Sequence, residues 1–159
     1  VASALIRMFT MALEQEIQKD IMTAMKAHDN VALNAVRAIK SEILLFKSSE
    51  GGSKEVTDAD VVKMIQKLIK QRKESAELYA AGGRKELAEG ELSEAAVMEK
   101  YLPKQLSEEE VEAKIKEIIA KVGASSIKDM GKVMGTANKE LAGQSDGRTI
   151  STIVKKLLA

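Results

Sequence analysis

Tyr101-Leu102-Pro103-Lys104-Gln105-Leu106 divides the chain and holds its only proline, Pro103. Steric clash with the proline ring pushes the preceding residue out of the helical region. A helix carrying Tyr101 is therefore expected to end near Leu102. Ser107-Glu108-Glu109-Glu110 follows at once, a capping residue with an acid three places on, which starts a new helix. Upstream lie long, heavily charged helical stretches; downstream lies a smaller, separately capped unit. The sequence thus predicts an all-α protein: a helical N-terminal domain of about four helices over residues 11–102 and a three-helix tail bundle over residues 103–159.

Composition supports that class. Apolar residues make up 45% of the 159 but aromatics only 3%, with no tryptophan, so Ala, Leu, Ile, Val and eight Met must do the packing. Abundant Lys, Glu and Ala without β-branched runs favour helices. The absence of cysteine excludes disulfides and thiolate metal sites, and the single histidine, His28, excludes a His-rich metal cluster. No cofactor is implied. No apolar run reaches the length of a membrane span. A net charge of +1 does not announce a nucleic-acid binder, so any such role needs local clustering. The first ten residues resemble a presequence only in having Arg7 and no acid. Met11 looks like a natural start, residues 1–10 read as a leader, and a cytoplasmic protein is expected.

Along the chain, Leu13, Ile17, Ile21 and Met25 recur at helical spacing, with Glu14, Gln18 and Lys19 outward. That helix should stop at His28-Asp29-Asn30. A second spans about Val31 to Ser48, with Val36, Ile39, Ile43 and Phe46 inward and Leu33 and Leu44 widening the stripe. Gly51-Gly52 lacks the Lys-Ser/Thr ending of a phosphate-binding loop and reads as a connection. Thr57-Asp58-Ala59-Asp60 opens a third helix with Val61, Ile65, Leu68, Ile69 and Leu78 inward. Lys63, Lys67 and Lys70 fall on one face of it, with Arg72 and Lys73 nearby. A solvated face paired with Glu74 and Glu77 is the plain explanation; a second basic contact for RNA is the functional one. The Gly82-Gly83 pair breaks this helix, and a fourth, to Leu102, puts Leu87, Leu92, Ala95, Met98 and Leu102 inward.

The tail is tidier. Val111, Ile115, Ile118, Ile119 and Val122 form one stripe, ended by Gly123. Ser126-Ile127-Lys128-Asp129 caps the next helix, whose stripe is Ile127, Met130, Val133, Met134, Ala137 and Leu141. Asp146-Gly147-Arg148-Thr149 caps the last, with Ile150, Ile153, Val154 and Leu157 inward. Two glycines stand out. Each glycine inside a helix costs about 1 kcal/mol against alanine, yet Gly131 and Gly135 sit four apart, beside Lys128, Lys132 and Lys139. Close packing of two helices would explain them, and spacing alone favours that explanation. Approach of a phosphodiester backbone to a bare helix would explain them too.

These residues resemble a family. Tyr101–Leu106, then Asp129-Met-Gly-Lys-Val-Met-Gly135, then Gly143 and Asp146-Gly147 before the terminal helix, look like the GatB/YqeY tail pattern. Arg72-Lys-Glu-Ser-Ala76, Tyr79, Gly83-Arg84 and Leu87 look like the free-standing YqeY proteins, so the likeness covers nearly all of residues 11–159. In the glutamyl/aspartyl-tRNA amidotransferase, the GatB polypeptide ends in a similar tail that contacts tRNA. The resemblance implies a helical domain joined to a tRNA-recognising tail. It points to Gly131, Gly135, Gly143 and Gly147, with Lys128, Lys132 and Lys139 facing phosphates, and puts tRNA contact ahead of packing.

A carbon–nitrogen ligase activity with glutamine as amide donor attaches to the family by association. This chain holds no cysteine nucleophile, no Gly-rich serine-amidase segment and no His/acid constellation, and it is too short for a glutaminase centre plus an ATP site. The reading is a non-catalytic tRNA-binding accessory protein. The alternatives are a module docking on an amidotransferase or aminoacyl-tRNA synthetase, or a component of an amide-transferring enzyme active only in complex.

Overall fold

The computed structural model describes residues 12–49 and 55–159. The leader assigned to residues 1–10, the start at Met11 and the Gly51-Gly52 connection lie outside the described residues. Among the described residues the chain is all-α: seven α-helices and one 3-10 turn, with no strand. They are α1 (Ala12–Lys26), α2 (Asn30–Ser48), α3 (Asp58–Ala81), α4 (Lys85–Glu99), α5 (Glu108–Val122), the turn Ile127–Asp129, α6 (Met130–Glu140) and α7 (Gly147–Leu158). Packing divides them into a unit ending at Leu102 and a unit from Pro103 to Ala159.

In the first unit α1 packs on α2, and α3 forms a hairpin with α4 that also meets α2. Helix starts are fixed by side chains that satisfy orphan amides. Asp29 accepts from Ala32 N at 3.1 Å. Thr57 Oγ1 accepts from Asp60 N at 3.2 Å while Asp60 Oδ2 accepts from Thr57 N at 3.1 Å, a reciprocal capping box. Val56 and Val61 flank that cap and are both buried in the core, the arrangement of a hydrophobic staple. The core joins Leu13 and Ile17 of α1, Ala35, Ile39 and Ile43 of α2, Val61 to Ile69 of α3, and Ala95 and Met98 of α4. Tyr101 packs against this cluster and its hydroxyl donates to Asp20 of α1.

Several faces differ from the periodicity. Glu14 is buried, not outward: Lys47 donates to it, and Lys40 stands 3.9 Å away, so two cations of α2 offset its desolvation. Ala24 takes the inward place assigned to Met25, which is exposed, as is Leu44. Leu78, Leu87 and Leu92, all expected inward, are 76%, 45% and 47% exposed. The reason is direction: at 3.6 residues per turn Leu78 falls about 180° from buried Ile69 around α3, and Leu87 and Leu92, about 140° apart around α4, flank buried Ala88 and Ala95. The core takes from α3 and α4 only Val61–Ile69, Ala95 and Met98, while Ala76 and Ala88 are buried outside it.

In the tail each of α5, α6 and α7 packs on the other two. Val111, Ile115, Ile118, Val133, Ala137, Leu141, Ile150, Ile153, Val154 and Leu158 make one core. Ser107 Oγ accepts from Glu110 N at 3.2 Å, with Leu106 before the cap and Val111 after it both on this core. Gly123 ends α5 at φ 69°, the left-handed terminator that glycine adopts without strain. The Pro103–Leu106 segment is tied in by polar bonds. Leu106 N donates to Gln144 O at 2.9 Å, and Gln105 Nε2 donates to Gly143 O at 2.6 Å. Ile127, assigned to the α6 stripe, is half exposed because the chain there is a 3-10 turn rather than the first turn of the α-helix.

Candidate nucleic-acid interface

The α6 helix owes its orientation to Val133, Ala137 and Leu141, which are fully covered by α5 and α7. That fixes the opposite side to solvent. Asp129 precedes the helix and accepts from Ser125 N at 2.9 Å and Ser126 N at 3.3 Å. Those two amides, helped by Lys132, hold its carboxyl below the usual range despite a small opposing desolvation. An acid held charged at a helix start suits the positive end of the helix dipole.

On the solvent side Gly131, Lys132, Gly135, Thr136, Lys139 and Glu140 line an open depression of about 310 Å³. A Cβ placed on Gly131 or Gly135 meets no heavy atom within 4 Å beyond the helix's own nearby backbone. Close packing against another helix, the explanation that spacing favoured, therefore does not hold: among the described residues the two glycines pack against nothing. Lys121 pairs with Glu140 at 3.1 Å and offsets the one carboxylate at the rim. Lys128, Lys132 and Lys139 are exposed and form no salt bridge among the described residues.

The other glycines divide. Gly143 is buried, has φ 77°, and gives its carbonyl to Gln105, so its conformation serves the turn after α6 and it presents no surface. Gly147 opens α7 and is exposed, but it does not line the depression; Lys128 sits on the turn before α6, also outside it. Thr136 and Glu140 went unnoticed in the sequence, although a helical projection places both next to Gly135 and Lys132. A second depression of about 340 Å³ lies between Glu108, Glu109 and Glu112 of α5 and Arg148, Thr149, Thr152 and Lys156 of α7, with Lys156 3.5 Å from Glu112.

The basic face of α3 is exposed but partly engaged. Lys67 lies 3.7 Å from Glu42, while Lys63 and Lys70 form no ion pair among the described residues. Arg72 approaches Glu94 at 2.8 Å, and Lys73 approaches Glu99 at 3.2 Å. The carboxylates come from α4, across the hairpin, rather than from Glu74 and Glu77 in the same helix. Among the described residues no group of three or more His, Cys, Asp or Glu could hold a metal, and no helix is long and apolar enough to cross a membrane.

An all-helical chain with this capped tail and glycine-bare helix fits the class of small helical proteins built as a helical domain plus a tail. A family model described as Yqey-like protein matches residues 14–158, and the chain belongs to that family. It is 27% identical over 146 residues to the protein named "Altered inheritance of mitochondria protein 41, mitochondrial" of Pyrenophora tritici-repentis, covering 89% of this chain and 78% of that one. To the protein of the same name in Clavispora lusitaniae it is 28% identical over 134 residues, 82% and 77% of the two chains. It is 32% identical over 96 residues to an uncharacterised protein of Schizosaccharomyces pombe, 60% of this chain and 76% of that one. The names of the first two overturn the expectation of a cytoplasmic protein. The sequence holds no cysteine and no apolar run of membrane-span length, but composition carries no signal that separates one compartment from another.

Proposed function

We propose that this chain is a non-catalytic accessory protein that holds structured RNA, with tRNA as its ligand, through the exposed side of α6. The names of its relatives support a mitochondrial setting. The observation that carries the reading is that Gly131 and Gly135 cost helix stability, return no packing, and lie beside Lys132 and Lys139, which form no salt bridge among the described residues. Without Cβ atoms, a sugar–phosphate backbone can come against the helix while lysines at the edge meet its phosphates. Tyr101 is turned to Asp20, which leaves Tyr79 as the exposed tyrosine, so base stacking contributes little and shape and backbone dominate. Lys63 and Lys70 supply a second, weaker contact. The likeness of the tail pattern to that of the amidotransferase GatB polypeptide supports tRNA over other RNAs.

The test is a salt titration of binding to bulk tRNA, with duplex DNA of matched length as control. Tighter binding to tRNA, with affinity falling log-linearly in salt, is the expected result. Equal and feeble binding to both nucleic acids overturns the reading.

A further inference from the structure

The depression on α6 is built from two ridges of different chemistry. Gly131, Gly135 and Lys139 follow one another at four-residue spacing and form a bare ridge. Lys132, Thr136 and Glu140, each one residue further on, form a polar ridge beside it. Each ridge carries one lysine, but only the polar ridge carries a hydroxyl and a carboxylate. Phosphate contact alone needs neither, and a carboxylate facing phosphates is unfavourable.

Both groups keep a free valence toward the depression. Thr23 and Thr152, which like Thr136 have a full turn of their own helix before them, donate their hydroxyls to the carbonyls of Lys19 and Arg148, at 3.2 and 2.9 Å. Thr136 is partly buried, and its hydroxyl makes no hydrogen bond among the described residues. Lys121 engages Glu140 Oε1 at 3.1 Å, whereas Glu140 Oε2 accepts no hydrogen bond among them. Residues four apart on a helix stand about 5–6 Å from each other at Cβ, so one small group can meet both. That group must donate to a carboxylate, accept from a hydroxyl and lie beside phosphates. The ribose 2′-hydroxyl does all three, and A-form RNA displays it along a wide, shallow groove. DNA lacks it and would bring only phosphate charge to Glu140. Resting on the RNA reading above, we infer that Thr136 and Glu140 recognise a ribose 2′-hydroxyl. Thr136 Oγ1 donates to the ribose oxygen, the ribose hydroxyl donates to Glu140 Oε2, and the pair selects RNA over DNA.

The test compares the affinity of the full chain for an RNA hairpin, for the same hairpin with fluorine in place of each 2′-hydroxyl, and for the DNA hairpin of that sequence. Fluorine keeps the A-form sugar pucker and the phosphates but cannot donate a hydrogen bond. The RNA hairpin should bind about tenfold tighter than its fluoro form, the value of a hydrogen bond to a charged acceptor. Thr136→Val, which keeps the shape and removes the hydroxyl, should cut that ratio to about threefold, and Glu140→Ala to about twofold. Thr136→Ser keeps a hydroxyl and should keep the ratio. Thermal melting of Thr136→Val and its salt slope on RNA, which the lysines set, should match those of the parent chain. Should Thr136→Val fail to fold, Glu140→Ala, at an exposed position, carries the test. Equal binding of RNA and fluoro hairpins, or a ratio that the variants leave untouched, overturns this inference while RNA binding stands. Equal and feeble binding of the RNA and DNA hairpins overturns the RNA reading, and this inference with it.

Discussion

The two uncovered helix surfaces are bare for opposite reasons. On α6 the side chains are missing: Gly131 and Gly135 expose backbone, and lysines stand at the edges. On the α3–α4 hairpin the side chains are present and large, but they point away from the buried sides of their helices. The first is the surface on which the proposed RNA contact rests; the second is a set of single exposed side chains. Exposure alone therefore says little about a ligand. What the exposed atoms are, and which charges beside them stay unpaired, distinguishes the two.

Charge reversal is the strongest way to break the contrast. K128E/K132E/K139E should lower tRNA affinity on the order of a hundredfold at low salt and flatten the salt slope by about three. The melting curve should not move. Retained tRNA affinity would place the RNA site elsewhere. Next in size is a core test. Ile115→Ala, at a fully buried position, should cost about 3 kcal/mol and unfold a tail whose core is small. Leu78→Ala, on the uncovered hairpin, should stay within about 0.5 kcal/mol in denaturant unfolding. A large loss at Leu78 would mean that the hairpin end is covered.

Glycine replacement sharpens the comparison further, because stability and binding should move in opposite directions. Gly131→Ala and Gly135→Ala meet open space, so each should stabilise the tail by about 1 kcal/mol while weakening tRNA binding. Destabilisation would restore the packing explanation. The smallest effect concerns the first unit. Burial, then the bond to Asp20, then the charges of Asp20 and Glu16 raise the Tyr101 pKa well above its ordinary value. A raised folded pKa gives stability that is complete below the unfolded value of about 10 and is lost as pH climbs above it. Tyr101→Phe should cost about 1 kcal/mol at neutral pH and remove that alkaline loss, read from thermal melting against pH.

Much of the helical scaffold was legible in the sequence. Ser107, Thr57 and Asp146 cap the helices that their spacing announced, since capping depends on bonds within a few residues. The tail stripes around Ile115, Val133 and Val154 were equally readable, because three short helices of similar length cover one another fully. The hairpin was not. Leu78, Leu87 and Leu92 are large and apolar, but apolarity does not fix direction: Leu78 lies opposite Ile69 around α3 and Leu87 about 140° from Leu92 around α4, so no single face buries them. Glu14 was misplaced for a different reason: Lys47 and Lys40, which make its burial tolerable, are distant in sequence.

The sequence by itself determined the all-α class, the capped starts at Thr57, Ser107 and Asp146 and, Ile127 apart, the inward face of each tail helix, because propensity, capping and periodicity act within a few turns. It also carried the family resemblance, in Tyr101–Leu106 and in the Gly131 and Gly135 pattern. Only the tertiary structure decided what those glycines face. Two residues four apart in a helix look the same whether they admit a packed neighbour or stand open, and the difference lies in where α5 and α7 cover α6. Only the tertiary structure, likewise, buried Gly143 beneath Gln105 and assigned Arg72 and Lys73 to carboxylates of α4. Burial and ion pairing depend on which distant segments share a neighbourhood, and that is fixed when the helices pack.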